Sequence, residues 1–205
     1  VAQQRGDLAG ALNHLKAAQT LDPRNIQLQE TIIRASLQLK RTFAARKDAE
    51  SLLAVDPANT VGNLTMATLA ETPEVREKYL RRCLQNRSSP FYDAVLNNLA
   101  YDLTRMKRYA EAVPMADEAV NLRPSSDKYH HTLAEAYKGL GQYDKAMEQI
   151  LLASTIDPHD PNHKLVQGEI LIAQGDNKAG NDLIVKALPN LTGEWRDRAL
   201  KILKR

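Results

Sequence analysis

The chain has 205 residues, 43% of them apolar, with 28 basic and 25 acidic side chains and a formal net charge of +3. A balance this close to neutral argues against a nucleic-acid binder. No apolar run is long enough to span a membrane, and Cys83, standing alone, excludes an internal disulfide framework.

Five prolines set the organisation. Pro23, Pro57, Pro90, Pro124 and Pro158 are separated by 34, 33, 34 and 34 residues, and between them apolar residues fall at helical spacing. The chain therefore reads as a stack of two-helix units, none of which can bury its apolar stripe without its neighbours.

The first unit, residues 1–25, is partial. Gly6 occupies the turn position, which makes 1–5 the tail of a helix whose front is missing, and Ala11, Leu15 and Ala18 form the stripe of the next helix. A chain opening in mid-motif without Met reads as a fragment of a longer protein. The second unit (26–59) keeps Ile32, Ala45 and Leu52. The third (60–92) is the most irregular: Met66, Ala67 and Ala70 suit its first helix, and Thr72-Pro73-Glu74 marks an early start for the second, with Thr72 as cap. The fourth (93–126) carries Leu96, Leu99, Ala100, Leu103, Ala112, Ala116 and Ala119, with Pro114 predicting a mild kink in its second helix.

The fifth unit (127–160) is the most regular. Leu133, Ala134 and Tyr137 precede a turn at Gly139-Leu140-Gly141, and Ala146, Ile150 and Ala153 follow it. The sixth (161–192) supplies Gly168, Leu171, Gly175, Ile184 and Ala187, with Gly180 in place of the small alanine that Ala112 and Ala146 provide in the two preceding copies. Last comes an amphipathic helix at 193–205. Trp195, Ala199, Leu200 and Leu203 form its apolar side, and Arg196, Asp197, Arg198, Lys201 and Lys204 a solvated face suited to the end of a stack.

The spacing of small and large residues in the fifth unit resembles the tetratricopeptide repeat. Counting Asp127 as position 1 puts Leu133-Ala134, Tyr137, Gly141, Ala146, Ile150, Ala153 and Pro158 on the family's pattern, and His130 is the one weak match. The resemblance implies an all-α fold: a right-handed α-solenoid of helix-turn-helix repeats with a C-terminal capping helix. It also implies a non-enzymatic scaffold whose first helices line a concave groove. The groove positions here are Asn97, Asn98, Tyr101 and Arg105 from the fourth repeat, and Lys128, His131, Thr132, Glu135 and Lys138 from the fifth. Asn162, Leu165 and Glu169 come from the sixth. Such a wall suits a protein or peptide partner, because Asn engages a peptide backbone and Lys or Arg a carboxylate. A solvated helix face is the plain alternative for any one of these residues.

Some members of the family hold a partner's C-terminal carboxylate in a five-residue clamp. Only Asn98 and Lys128 match it; Leu64, Thr68 and Thr132 depart from it, which argues against a chaperone-tail adaptor. The stretch from Leu96 to Tyr101 with His131–Ala134 is similar to repeats of bacterial envelope and polysaccharide-export proteins. That similarity leaves a cytoplasmic or periplasmic compartment open, along with a rival architectural role in which repeats self-associate or link domains.

No cofactor, catalytic group or metal is expected. No nucleophile elbow, phosphate-binding loop or acid–base pair is present. His131 and Glu135 share a helix face and His159 and His163 have ligand-like spacing, but no third ligand lies near them in sequence. Cys83 falls on an apolar stripe as a core residue. Lys78, Arg81, Arg82 and Arg87 read as a solvated face.

Overall fold

The computed structural model describes residues 2–204, with side chains from Asp7 onward. The described residues form twelve α-helices and no strand: α1 (Ala2–Leu21), α2 (Ile26–Gln38), α3 (Thr42–Val55), α4 (Thr60–Thr68), α5 (Pro73–Cys83), α6 (Tyr92–Arg105), α7 (Tyr109–Leu122), α8 (Asp127–Gly139), α9 (Tyr143–Ile156), α10 (Pro161–Ala173), α11 (Asn177–Ala187) and α12 (Gly193–Leu203). A single 3-10 turn at Leu188–Asn190 precedes α12. The fold class is all-α, an array of helical repeats of the solenoid type. Close contacts divide the chain into two compact units, one ending at Val95 and one beginning at Leu96, so the division falls within α6.

In the first unit, Leu12, Ile32 and Ala35 pack together, and Ile33, Ala49, Leu52, Val61 and Met66 form a second cluster. One sequence expectation fails here. The turn placed at Gly6 does not exist, because α1 runs unbroken through it. A lone glycine costs a helix only about 1 kcal/mol, and the Ala- and Leu-rich residues after it continue the helical pattern; Val1 lies outside the described residues. Helix α5 starts as expected, with Pro73 in its first turn and the Thr72 hydroxyl accepting from the Val75 N–H at 3.4 Å. Cys83 is buried, and burial pushes its thiol up to about 12, leaving it inert at neutral pH.

In the second unit, Ala100, Ala116 and Leu133 form one cluster, and Ala134, Ala146, Ile150, Ala153, Val166 and Ile170 a second. Leu165, Ile184, Ala187, Leu191 and Ala199 form a third. Helix α7 continues through Pro114. Leu165, a groove position by the family pattern, is fully buried in the third cluster instead.

Two devices repeat along the chain. The turn between paired helices places one residue in the left-handed region, namely Lys40 (φ 57°), Lys107 (φ 61°), Gly141 (φ 74°) and Gly175 (φ 99°). The residue after each closes a six-residue bond back to the helix, as in Arg108 N–H to Leu103 O at 2.8 Å and Asp176 N–H to Leu171 O at 2.9 Å, the geometry of a Schellman turn. The second device is a buried polar side chain in the first turn of a repeat, tied to the carbonyl six residues earlier. Gln29 donates to Pro23 O (2.6 Å), Asn63 donates to Pro57 O (2.9 Å), and His130 Nε2 meets Pro124 O (2.9 Å). Each bond satisfies a buried polar group while fixing how the loop enters the helix. His130, the weak match to the repeat pattern, is therefore a pin and not a defect.

Candidate functional site: a cleft roofed by the last helix

Within the second unit, α6, α8 and α10 present one face to a cleft of about 1080 Å³. Of the groove residues named from sequence, Tyr101, Arg105, His131, Thr132, Glu135, Lys138 and Glu169 line it. Asn97, Asn98, Lys128 and Asn162 are not among its lining residues. Asn98 and Lys128 are exposed, whereas Asn97 and Asn162 are half-buried. Thr132 is buried and its hydroxyl donates to Lys128 O at 2.9 Å, a bond internal to α8.

The sequence reading missed the contribution of α12. Glu194, Trp195, Arg198 and Ile202 all line the cleft, as do Asn177 and Asn181 one turn apart on α11. Arg198 is not on a solvated face. Its guanidinium donates to Glu135 of α8 at 2.9 Å and to both carboxylate oxygens of Glu169 of α10. Lys138 completes the network, 2.9 Å from Glu135 and also paired with Glu169. Two acids thus meet two bases, each partly or wholly withdrawn from water. At the mouth, Arg105 donates to both oxygens of Glu194 (2.9 and 3.0 Å) and to the Tyr101 hydroxyl (3.0 Å), and its guanidinium stands 5.7 Å from the centre of the Tyr101 ring. Arg105 and Glu194 stay 51% and 60% exposed in their side chains, so this contact is the exchangeable one.

Burial alone would push the Glu135 carboxyl up, but Lys138, Arg198 and His131 outweigh it and hold the group at about 2, ionised at every physiological pH. The opposite holds for His131. Burial pushes it down to about 4 against an ordinary value of 6.5, with Glu135 opposing and His163 and Lys138 assisting. Its ring lies edge-on to Trp195 at 5.5 Å, and its Nε2 has no hydrogen-bond partner.

This yields a pH prediction. Between pH 6.5 and 4 the unfolded chain binds a proton at His131 that the folded chain excludes, so stability must fall as pH drops through that window and level off below it. The groups facing the ring are Glu135, Lys138, His163 and Asp160. The expected loss is on the order of 2 kcal/mol. Thermal midpoints at pH 7.5, 5.5 and 4.5 for the parent and for His131→Phe check it; parallel pH profiles would show that His131 does not carry the effect.

The cleft presents tyrosine and tryptophan side chains, side-chain amides and one exposed guanidinium–carboxylate pair. No helix among the described residues is long and apolar enough to cross a membrane.

Residues 103–170 match the family model described as tetratricopeptide repeat. The fold is similar to that of YrrB, described as a tetratricopeptide protein with an unusual peptide-binding site (13% identity, TM-score 0.77, covering 93% of this chain and 98% of that one). It is similar also to pilF of Pseudomonas aeruginosa (16% identity, TM-score 0.75, 97% and 91%) and to PilW, a type IV pilus biogenesis factor (16% identity, TM-score 0.72, 97% and 93%). Residues 103–170 thus match tetratricopeptide repeats, and the chain shares the all-helical repeat fold of tetratricopeptide proteins.

Proposed function

We propose that the second unit binds a segment of a partner protein in the cleft between α6, α8, α10 and α12. The observation that supports this is the cleft itself, about 1080 Å³ walled by Tyr101, Tyr109, Trp195 and Ile172, with Asn177 and Asn181 as free-standing amides. Aromatic walls offer large contact area at low entropy cost, and paired amides suit the backbone of an extended peptide. The charged floor is already neutralised internally, so it contributes shape more than attraction. Arg105 is the exception: a partner carboxylate can replace Glu194 there, which favours a segment with an apolar anchor beside an acidic residue. The peptide-binding site attributed to YrrB lends the reading support by analogy of fold.

Trp195 is the single tryptophan of the chain and lines the cleft, so its emission reports occupancy directly. Peptides selected from a random library on the whole chain are expected to shift that emission. Tyr101→Ala with Arg105→Ala should weaken them by about 1–3 kcal/mol, or roughly 5- to 150-fold. Arg81→Ala with Arg82→Ala on α5 should leave them unchanged. Peptides that bind without altering Trp195 emission, or that respond only to the α5 pair, would place recognition elsewhere.

A second reading, self-association through the first unit, has one observation in its favour: Phe43 on α3 is 82% exposed. A solution mass equal to one chain at high concentration would remove it.

A further inference from the structure

Three side chains outside the cleft converge between α8 and α10. Asp127 opens α8, Asp160 caps α10, and His163 lies in the first turn of α10; one ligand atom from each falls within 4.8 Å of the others. Two carboxylates near helix starts would mean little alone. His163 changes that. It is 1% exposed, and its Nδ1 stands 3.1 Å from the Asp157 carbonyl oxygen. A carbonyl can only accept, so the proton sits on Nδ1 and that bond fixes the ring. Nε2 is then left aimed between the two carboxylates, buried and without a hydrogen-bond partner. It lies 3.7 Å from Asp160 Oδ2 and 3.8 Å from Asp127 Oδ2, too far for a hydrogen bond to either.

We propose that Asp127, Asp160 and His163 bind a divalent transition-metal ion of the zinc class. The donor set is one imidazole nitrogen and two carboxylate oxygens, which suits zinc with solvent completing the shell. Metal–ligand bonds of about 2.1 Å set tetrahedral donors roughly 3.4 Å apart, so the two separations from His163 Nε2 need to contract by only a few tenths of an ångström, and the two carboxylates already lie within 4.8 Å of each other. The bond from Nδ1 to a backbone carbonyl is the outer-shell partner that ligating histidines ordinarily have. Asp160 Oδ1 already accepts from the Asn162 N–H at 2.8 Å, which orients Oδ2 toward the site. Both carboxylates are half-buried, leaving a path for the ion. The bound ion clips the start of the sixth repeat to the start of the fifth. None of the three ligands lines the cleft, so this site stands or falls independently of partner binding.

The test is calorimetric titration of the whole chain, freed of metal by chelator, with zinc chloride at pH 7.5, alongside cobalt(II) absorption in the visible. One zinc per chain is expected, with cobalt giving ligand-field bands of a low-symmetry site. Asp127→Asn and Asp160→Asn should each weaken zinc by at least about tenfold and abolish those bands. Asparagine keeps the volume, and at 160 the capping ability, so both variants should fold. His159→Ala, at an exposed neighbour, should change neither reading. Failure of the parent to bind one equivalent, equal binding by the asparagine variants, or loss of binding in His159→Ala would each overturn the proposal.

Discussion

Gly180→Ala is expected to lower the thermal midpoint, whereas Gly10→Ala is expected to raise it. Both glycines lie within helices, where alanine gains up to about 1 kcal/mol of helix propensity. At Gly10 a new Cβ meets nothing within 4 Å, so the gain stands. At Gly180 the Cβ would lie 2.5 Å from the Gly168 carbonyl oxygen and 2.6 Å from Ile172 Cγ1. The first neighbour is backbone and cannot rotate away. Helices α10 and α11 cross at this pair, and relief requires them to part along a cluster that holds Leu165, Ile184 and Ala187. Overpacking of this kind costs about 1–3 kcal/mol, and contact with backbone puts it at the upper end. The net loss is then about 2 kcal/mol, roughly 4–8 °C for a chain of this size. Midpoints by circular dichroism decide it; an unchanged or raised midpoint for Gly180→Ala would mean the two helices do not rely on this contact.

That crossing was readable in advance, since the repeat pattern calls for a small residue there and Gly180 stands where Ala45, Ala112 and Ala146 stand in other copies. The period of the prolines and the helical spacing of residues such as Leu133, Tyr137, Ala146 and Ile150 likewise specified the helix pairs, because both signals are local. What sequence could not supply was which distant side chains meet. Arg198 lies among Arg196, Asp197 and Lys201, and on a helical wheel that face looks solvated; only the position of α12 over α8 and α10 turns Arg198 toward Glu135 and Glu169. Asp127 is remote in sequence from His163, so a search for neighbouring ligands misses it. Lys40 and Lys107 hold left-handed turns without the glycine that would have announced them. Gly6 erred in the other direction, a turn signal overridden by the helix-forming residues after it.

Arg198→Ala should be the most damaging surface-directed change in the second unit, at about 2–3 kcal/mol. Breaking a buried pair by deleting one partner costs about 3–5 kcal/mol because the other charge is stranded. Here the side chain is 34% exposed and Lys138 remains, so the figure is discounted. Two carboxylates, one of them held near 2 by its surroundings, would then share a single ammonium. Lys201→Ala on the exposed face of the same helix should stay within about 0.5 kcal/mol. Arg198 also lies 5.1 Å over the Trp195 ring, so lost packing could mimic lost charge. A double-mutant cycle separates the two. In a Glu135→Gln, Glu169→Gln background the stranded charges are gone, and Arg198→Ala should cost at least about 1 kcal/mol less than in the parent. Equal costs in the two backgrounds would mean that α12 is held by Trp195, Ala199 and Ile202 alone, and that the ion pairs across the cleft follow the docking of the helix without contributing to it.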